Sequence, residues 1–252
     1  KRKWIAGTLA LMLTATTVFA AVPSTVSAAG DGESDHGIGS GTTYYVSSEN
    51  GDDSNSGTSE GQAFETLDKI NEITLKPGDR VLLEKGSVFN NQYLHIKGSG
   101  TEDQYIEVST YGEDSERPVI NTNGYGQWEQ NYGTPLDNTN HKWHGTVSSS
   151  ILLEDVEYIE IRGLEITNDR VQGAPEGDTA YNDADAMDRT GVAGVAQNKG
   201  TIEHIVLDDL YIHDVDGNVY NKHMANGGIY FIVEKPENEG QTGIARYDDV
   251  QI

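Results

Sequence analysis

Residues 158–166 are YIEIRGLEI, and the same pattern returns at residues 204–212 as HIVLDDLYI. Its second half returns once more as DDVQI at residues 248–252. Matching Leu164, Leu210 and Val250 gives spacings of 46 and 40 residues, a period typical of solenoid proteins. Each copy alternates apolar and polar residues, as a strand with one buried face does.

A strand that returns with the same facing after a long connection is best explained by parallel stacking, in which neighbouring coils bury one another's apolar face. We therefore predict an all-β fold, a right-handed parallel β-helix (solenoid) with an N-terminal capping helix. The third copy ends at a position expected to be buried, Ile252. On this basis we expect the chain to be the N-terminal part of a longer protein.

Residues 1–28 have the layout of a secretory signal peptide: the basic start KRK, an apolar run from Trp4 to about Val22, and the small residues VSA at 26–28. A membrane anchor is the alternative. Gly and Thr residues dilute the run and Pro23 ends it, whereas a spanning helix needs roughly 20 strongly apolar residues. We expect a secreted, extracellular protein with no membrane insertion after signal removal, held at the cell surface if a C-terminal region supplies an anchor.

Residues 29–41 are mostly Gly, Ser and Asp and predict a flexible linker, which leaves 42–252 as the β-helix domain. Without residues 1–29 the chain has 14 Lys and Arg against 41 Asp and Glu, a formal net charge of −27. Such a surface repels phosphate backbones, so we expect no nucleic-acid partner. There is no Cys, so burial and hydrogen bonding must stabilise the exported protein without disulfides.

Before the repeats, an amphipathic helix is predicted from one apolar stripe, Phe64, Leu67, Ile70 and Ile73, which Pro77 closes. Such a helix suits the open end of the stack, where it would cover core side chains and unpaired edges. Short apolar runs predict strands at residues 44–46, 81–83, 94–96, 105–108, 119–120, 150–153 and 228–233. Two polar, Gly-rich stretches, 121–146 and 168–189, are expected to be long surface excursions between coils.

The second excursion carries several carboxylates, including Asp183, Asp185 and Asp188. Carboxylate oxygens are the ligands that Ca²⁺ prefers, so these residues are candidates for a structural calcium site. The alternative is a solvated acidic loop, which the acidity of the whole chain favours. No zinc motif is present, since the seven His are scattered and none forms H-E-x-x-H.

Polar and titratable residues are concentrated where the second repeat ends. His213, Asp214, Asp216 and His223 lie at a predicted strand-to-turn junction, a usual place for a binding site on a rigid scaffold. The alternative is that such residues cap turns and stack between coils. Trp128, in the aromatic first excursion, could stack on a sugar ring or pack against the wall of the solenoid.

Two groups of motifs carry a family resemblance. The opening, with YYV at 44–46, GDDSNSG at 51–57, FETL at 64–67 and PGD at 77–79, resembles the entry module of many secreted β-helical carbohydrate-active proteins. The later segments VSSSILL (147–153), DVEYIEI (155–161), DRTGV (188–192) and NVYNKHM (218–224) resemble the β-helical lacto-N-biosidases of gut bacteria, glycoside hydrolase family 136. The similarity spans roughly residues 42–252.

The resemblance implies an extracellular glycosidase that acts on an oligosaccharide, releasing lacto-N-biose from type-1 chains such as lacto-N-tetraose. No cofactor is required for such chemistry. The family's two catalytic Asp residues, nucleophile and acid/base of a retaining mechanism, lie in a later coil, and no segment here matches their surroundings. We therefore expect the pair beyond Ile252, and an isolated chain that is inactive. Some members depend on a dedicated folding chaperone, which is an additional expected partner.

Two alternatives remain open. A calcium-dependent pectate lyase-like enzyme on the same scaffold would use the acidic loop 178–188 with Arg189 as the base, although the strong negative charge disfavours an anionic substrate. A non-catalytic β-helical glycan-binding surface protein would instead use the aromatic residues of 125–143.

Overall fold

The computed structural model describes residues 41–131, 144–169, 187–217, 225–234, 236 and 245–252. These residues belong to one compact unit, Asp35–Ile252. The predicted signal peptide and nearly all of the predicted linker lie outside the described residues.

Nearly all regular structure in the described residues is β-strand, with one helix, α1 (Asp68–Asn71), and a short 3-10 turn at Glu60–Gln62. The strands are β1 (Thr43–Val46), β2 (Arg80–Glu84), β3 (Val88–Asn90), β4 (Leu94–Ile96), β5 (Ile106–Tyr111), β6 (Val119–Asn121), β7 (Gln127–Asn131), β8 (His144–Glu154), β9 (Ile159–Arg162), β10 (Glu165–Asn168), β11 (Asp188–Ala196), β12 (Thr201–Asp208), β13 (Tyr211–Val215), β14 (Gly227–Val233) and β15 (Arg246–Gln251).

The strands form three parallel sheets. Sheet A has the order β1-β2-β5-β9-β12-β15, sheet B the order β3-β6-β10-β13, and sheet C the order β4-β8-β11-β14. From β2 onward the chain visits A, B and C in turn and then returns to A one strand further along. This is the coil of a β-helix-like solenoid, as the repeat predicted. β7 is the exception, since it pairs antiparallel with β8.

The two complete repeats stack as predicted. Ile159 pairs with Ile205, a spacing of 46 residues, and the backbone N–H of Tyr211 donates to the carbonyl of Leu164. The alignment of the third copy was wrong, because Val250 pairs with Ile205 rather than with the position of Leu210. A five-residue alternating segment fits either half of the repeat, so alternation alone does not fix its register.

Ile252 was expected to be buried but is 78% exposed, because it follows the end of β15, the edge strand of sheet A. Tyr158, just before β9, and the matching residues His204 of β12 and Asp249 of β15 all have left-handed backbone conformations, with φ of 54°, 51° and 64°. One such residue bends the chain sharply, and its recurrence at the same place in successive coils keeps the strands of sheet A aligned.

The core lies inside the coil, where each strand contributes alternate apolar side chains. In sheet B the inward positions of the four strands are Phe89, Ile120, Ile166 and Ile212, and they stack in register. Sheet C carries a second, outward cluster in which Leu152, Ala193 and Val195 are buried. Its outer face is therefore apolar, unlike that of sheet B.

The helix expected from Phe64 to Ile73 is a single turn. Phe64 instead forms a parallel bridge with Val46, and the helix begins only after Leu67. Asp53 accounts for this, because its carboxylate accepts hydrogen bonds from the backbone N–H groups of Glu65 and Thr66, at 2.9 Å each, and holds them in a turn. The apolar stripe nevertheless faces the core as predicted.

The two excursions are shorter than expected. Residues 127–131 of the first form β7, whose alternation is hidden in the sequence because most of its residues are polar. The second was expected to run from Asn168 to Arg189, but Asn168 belongs to β10 and Arg189 to β11, and both are buried. Residues 132–143 and 170–186 lie outside the described part of the chain. The other predicted strands are confirmed.

Candidate functional site

The outer face of sheet B carries a polar column that runs from coil to coil. Register places Asn90, Asn121, Thr167 and His213 side by side on successive strands. The Asn121 amide donates to Asn90 Oδ1 at 2.9 Å, and Thr167 Oγ1 donates to Asn121 Oδ1 at 2.9 Å. This ladder ends in a titratable group, His213.

His213 is held by two carboxylates and an aromatic ring. Its Nδ1 lies 2.9 Å from Asp214 Oδ2, its Nε2 lies 3.1 Å from Glu165 Oε1, and the Tyr211 ring stacks on it at 4.3 Å. Burial lowers the pKa of His213, but the hydrogen bonds to Glu165 and Asp214 outweigh it, so the net pKa is raised. The imidazolium form therefore persists to higher pH than that of an ordinary His.

Asp214 owes its position to a β-bulge. Thr167 pairs with His213 and Asn168 with Val215, so Asp214 is the extra residue, and its φ is 47°. A bulge re-aims the side chain of the inserted residue, and here it leaves the Asp214 carboxylate exposed beside the imidazole.

A carboxyl pair follows the two neighbouring strands. Asp169 comes directly after β10 and Asp216 directly after β13. Burial and a hydrogen bond to Asp169 raise the pKa of Asp216, while Arg189 opposes the rise. The Arg189 Nη1 donates to the Asp216 carbonyl at 2.8 Å. Carboxyl groups of this kind can bind the hydroxyl groups of a ligand.

Buried polar side chains make the corner behind this pair rigid. Asn168, which is fully buried, accepts from the Gly124 N–H at 2.8 Å and donates to the carbonyls of Ser148 and Thr190 at 3.1 and 3.0 Å. Three separate segments are thereby tied to the end of β10. We call the set Glu165, Asp169, Tyr211, His213, Asp214 and Asp216 the sheet B site.

Comparison with known proteins then shows which proteins the chain is similar to. No protein-family model matches it. Over 240 residues, 84% of the chain, it is 49% identical to a curated protein named lacto-N-biosidase from Bifidobacterium longum subsp. longum. Two crystal structures of the GH136 lacto-N-biosidase from Eubacterium ramulus match 82% of the chain with 50% and 51% identity and TM-scores of 0.75 and 0.74. The chain is a homologue of the GH136 lacto-N-biosidases.

This GH136 homologue spans only part of the proteins it matches. The alignment covers 15% of the length of the Bifidobacterium protein and 32% of the solved Eubacterium chains. The similarity in sequence and the TM-scores agree with the stacked parallel coils seen here.

The residues predicted from the sequence of this GH136 homologue fall into three groups. His213, Asp214 and Asp216 come together in the sheet B site. Trp128 lies elsewhere, on the outer face of sheet C, where its Nε1 donates to Ser149 Oγ at 2.7 Å and its ring packs on the Leu152 cluster. His223 lies outside the described residues. Glu165, Asp169 and Tyr211 were missed, although pairing Glu165 with Tyr211 across the 46-residue repeat could have indicated two of them.

The calcium prediction stays untested, because Asp183 and Asp185 lie outside the described residues. Asp188 is buried, and its two oxygens accept hydrogen bonds from the Ala225 N–H at 2.8 Å and the Asn226 amide at 3.1 Å. Within the ranges that the structure describes, no group of three or more His, Asp or Glu could hold a metal ion. In those same ranges, no helix has the length and apolarity needed to cross a membrane.

A second His with matching surroundings lies on sheet A. His204 Nδ1 is 2.9 Å from Asp249 Oδ2, its Nε2 is 3.2 Å from Glu160 Oε1, and the Tyr105 ring stacks on it at 4.3 Å. Its further carboxylate neighbours are Glu203 and Asp248, not Asp169 and Asp216, so it serves as an internal comparison for the sheet B site.

Proposed function

We propose that the protein containing this chain is a secreted glycoside hydrolase that releases lacto-N-biose from type-1 oligosaccharides such as lacto-N-tetraose. The main support is sequence similarity. Over more than four-fifths of its length, the chain is about 50% identical to proteins named lacto-N-biosidases. The TM-scores of 0.74 and 0.75 show that the fold of the matched region is similar as well.

In this proposal the sheet B site binds substrate. Sugar hydroxyls need acceptors as well as donors, and the carboxylates of Glu165, Asp214 and Asp216 supply acceptors beside the exposed ring of Tyr211. His213, whose two ring nitrogens are hydrogen-bonded to Glu165 and Asp214, holds these carboxylates in place. Trp128 and His223 are retained as proposed sugar contacts from the sequence pattern.

The catalytic Asp pair is proposed to lie in a later coil, since no segment of this chain matches the surroundings of the family's two catalytic Asp residues. The mechanism is proposed to be retaining, without a cofactor. A dedicated folding chaperone and a cell-surface anchor are carried forward as proposals for the full-length protein.

Two details of the fold belong to the same proposal. We take the coil to be right-handed, the hand that parallel crossovers almost always adopt. α1 is proposed to cap the first coil: Leu67 and Ile70 are buried in the core, and the Asn71 side chain bonds to the Tyr93 carbonyl and the His95 N–H on either side of the start of β4.

The direct test is mass spectrometry of the products after the longest chain that the gene encodes is incubated with lacto-N-tetraose. We expect lacto-N-biose and lactose in equal amounts. Proton NMR of the first product formed should show the anomeric configuration of the substrate bond, as retention requires. Intact lacto-N-tetraose, with a protein that circular dichroism shows to be folded, would overturn the proposal.

A further inference from the structure

The strand β7 lies over the apolar outer face of sheet C. Successive residues of a strand point to opposite sides, so Trp128 and Gln130 share one face of β7. Trp128 packs on Leu152, Ala193, Val195 and Ile232, which come from three strands of sheet C. The antiparallel pair β7–β8 therefore closes a small core outside the solenoid.

The far end of this small core is polar. Gln130 is fully buried, and its Nε2 donates to Tyr230 Oη at 3.4 Å, while its Oε1 has no hydrogen-bond partner in the described part of the chain. Glu234, directly after β14, is 5% exposed, and its Oε1 likewise has none there. Both atoms are acceptors when Glu234 is ionised, which leaves two buried acceptors without a donor.

The groups that act on Glu234 come from β7 and from the end of β8. Asn131 offers its backbone N–H and Gln130 its side chain, while Glu154 and Asp155 contribute negative charge. Burial first, and then the repulsion from Glu154 and Asp155, raise the pKa of Glu234 to about 7, against the two hydrogen bonds. A proton on Glu234 removes a buried charge that has no counter-ion among the groups acting on it and turns one of its oxygens into a donor.

We propose that Glu234 is a positioning residue that, as the neutral carboxylic acid, holds β7 against sheet C and thereby fixes the ring of Trp128. The proposal rests on the proposed function in one respect only, that Trp128 contacts sugar. Loss of the proton leaves a carboxylate facing Glu154 and Asp155, so the contact between β14 and β7 weakens as pH rises through neutrality.

Other titratable groups around β7 behave differently. Burial lowers the pKa of His95, on β4, to about 4, so it stays neutral from pH 5 upward. Burial raises the pKa of Tyr247, on β15, above the working range. Glu129 is exposed on the opposite face of β7 and accepts from Thr146 Oγ1, and His144 begins β8 beside Asn131. Comparing the wild type with Glu234→Gln separates the effect of Glu234 from the effects of these groups.

The first test is the tryptophan fluorescence of the full-length protein between pH 5 and 9, taken as the difference from its Trp128→Phe variant. The wild type should show a transition near pH 7. Glu234→Gln keeps the shape of the neutral acid and should abolish it, while the exposed control Glu113→Gln should leave it unchanged. A transition that persists in Glu234→Gln would overturn the proposal.

The second test uses kinetics with lacto-N-tetraose. The ratio of wild-type KM to Glu234→Gln KM should rise between pH 6 and 8 by up to about tenfold, the equivalent of one pKa unit of coupling, while the ratio of kcat values stays flat. A purely structural role would change activity equally at all pH values. If no substrate is cleaved, the proposed function fails, and the fluorescence titration still decides the role of Glu234.

Discussion

His213 and His204 have matching surroundings on two different sheets, and only one of them lies in the proposed binding surface. Each is held between two carboxylates and stacked by a Tyr at 4.3 Å. The neighbours beyond these contacts differ. His213 lies at the end of the polar column of sheet B, and Asp216 of the carboxyl pair lies three residues after it. A change of either His removes the same local contacts, so any difference between them reports on substrate.

We predict that His213→Gln raises the KM for lacto-N-tetraose by about 5- to 20-fold. The substitution frees Glu165 and Asp214 from their positions, and one hydrogen bond from a sugar hydroxyl to a carboxylate contributes about 1–2 kcal/mol. kcat should change little. His204→Gln, the matched control, should leave KM within about twofold. Steady-state kinetics at pH 6 measures both values. Equal effects of the two substitutions would remove the sheet B site from the substrate path.

At the scale of the element, β11 is an inner strand of sheet C. It pairs with β8 on one side and with β14 on the other. Gly194 points inward, and a Cβ there would lie 2.4 Å from the Phe231 ring and 3.0 Å from Tyr247 Oη. The missing side chain makes room for the edge-to-face pair of Phe231 and Tyr247, whose ring centroids are 5.0 Å apart.

Gly194→Ala should therefore lower the free energy of unfolding by about 1–3 kcal/mol through overpacking. The comparison variant is Gly61→Ala, where a Cβ would meet nothing within 4 Å and the change should stay within about 0.5 kcal/mol. Urea unfolding followed by circular dichroism gives both values, with the slope m checked for constancy. A midpoint for Gly194→Ala equal to the wild type would show that the ring pair can move aside.

Elements were predictable from the sequence wherever one face alternates and is buried. The 46-residue repeat correctly predicted the pairing of Ile159 with Ile205, because the spacing of the apolar residues indicates both the period of the coil and the register of its strands. β7 was missed because the partner that buries Trp128 and Gln130 is another sheet, not the coil's own core. His213 and Asp214 of the sheet B site could be predicted from the sequence pattern. Asn168, in the corner behind the site, could not, since its hydrogen-bond partners are 20 to 44 residues away.

The whole molecule is strongly acidic, with 41 Asp and Glu against 17 Lys and Arg, so mutual repulsion of carboxylates opposes folding at neutral pH. Two specific groups add to this. The pKa of Glu234 rises from 4.5 to about 7, and that of His213 is raised above 6.5. A raised pKa in the folded state contributes stability that is complete below the unfolded value and is lost as pH rises through the folded value.

We therefore predict that the free energy of unfolding is greatest between about pH 4 and 5 and falls by up to about 3 kcal/mol toward pH 8. On the acid side, hydrogen bonds lower the pKa values of Asp52, Asp209 and Asp249, so their contribution is lost only as pH falls below 3.8.

Urea unfolding from pH 4 to 9 measures the profile. Glu234→Gln should flatten its alkaline limb, and 0.5 M NaCl should reduce the part of the slope that comes from general repulsion, since about 0.5 M salt screens charges beyond a few ångströms. A maximum at pH 8 or above in the wild type would contradict the assignment of Glu234 as a buried neutral acid, because an ionised carboxylate there would already be present at the optimum.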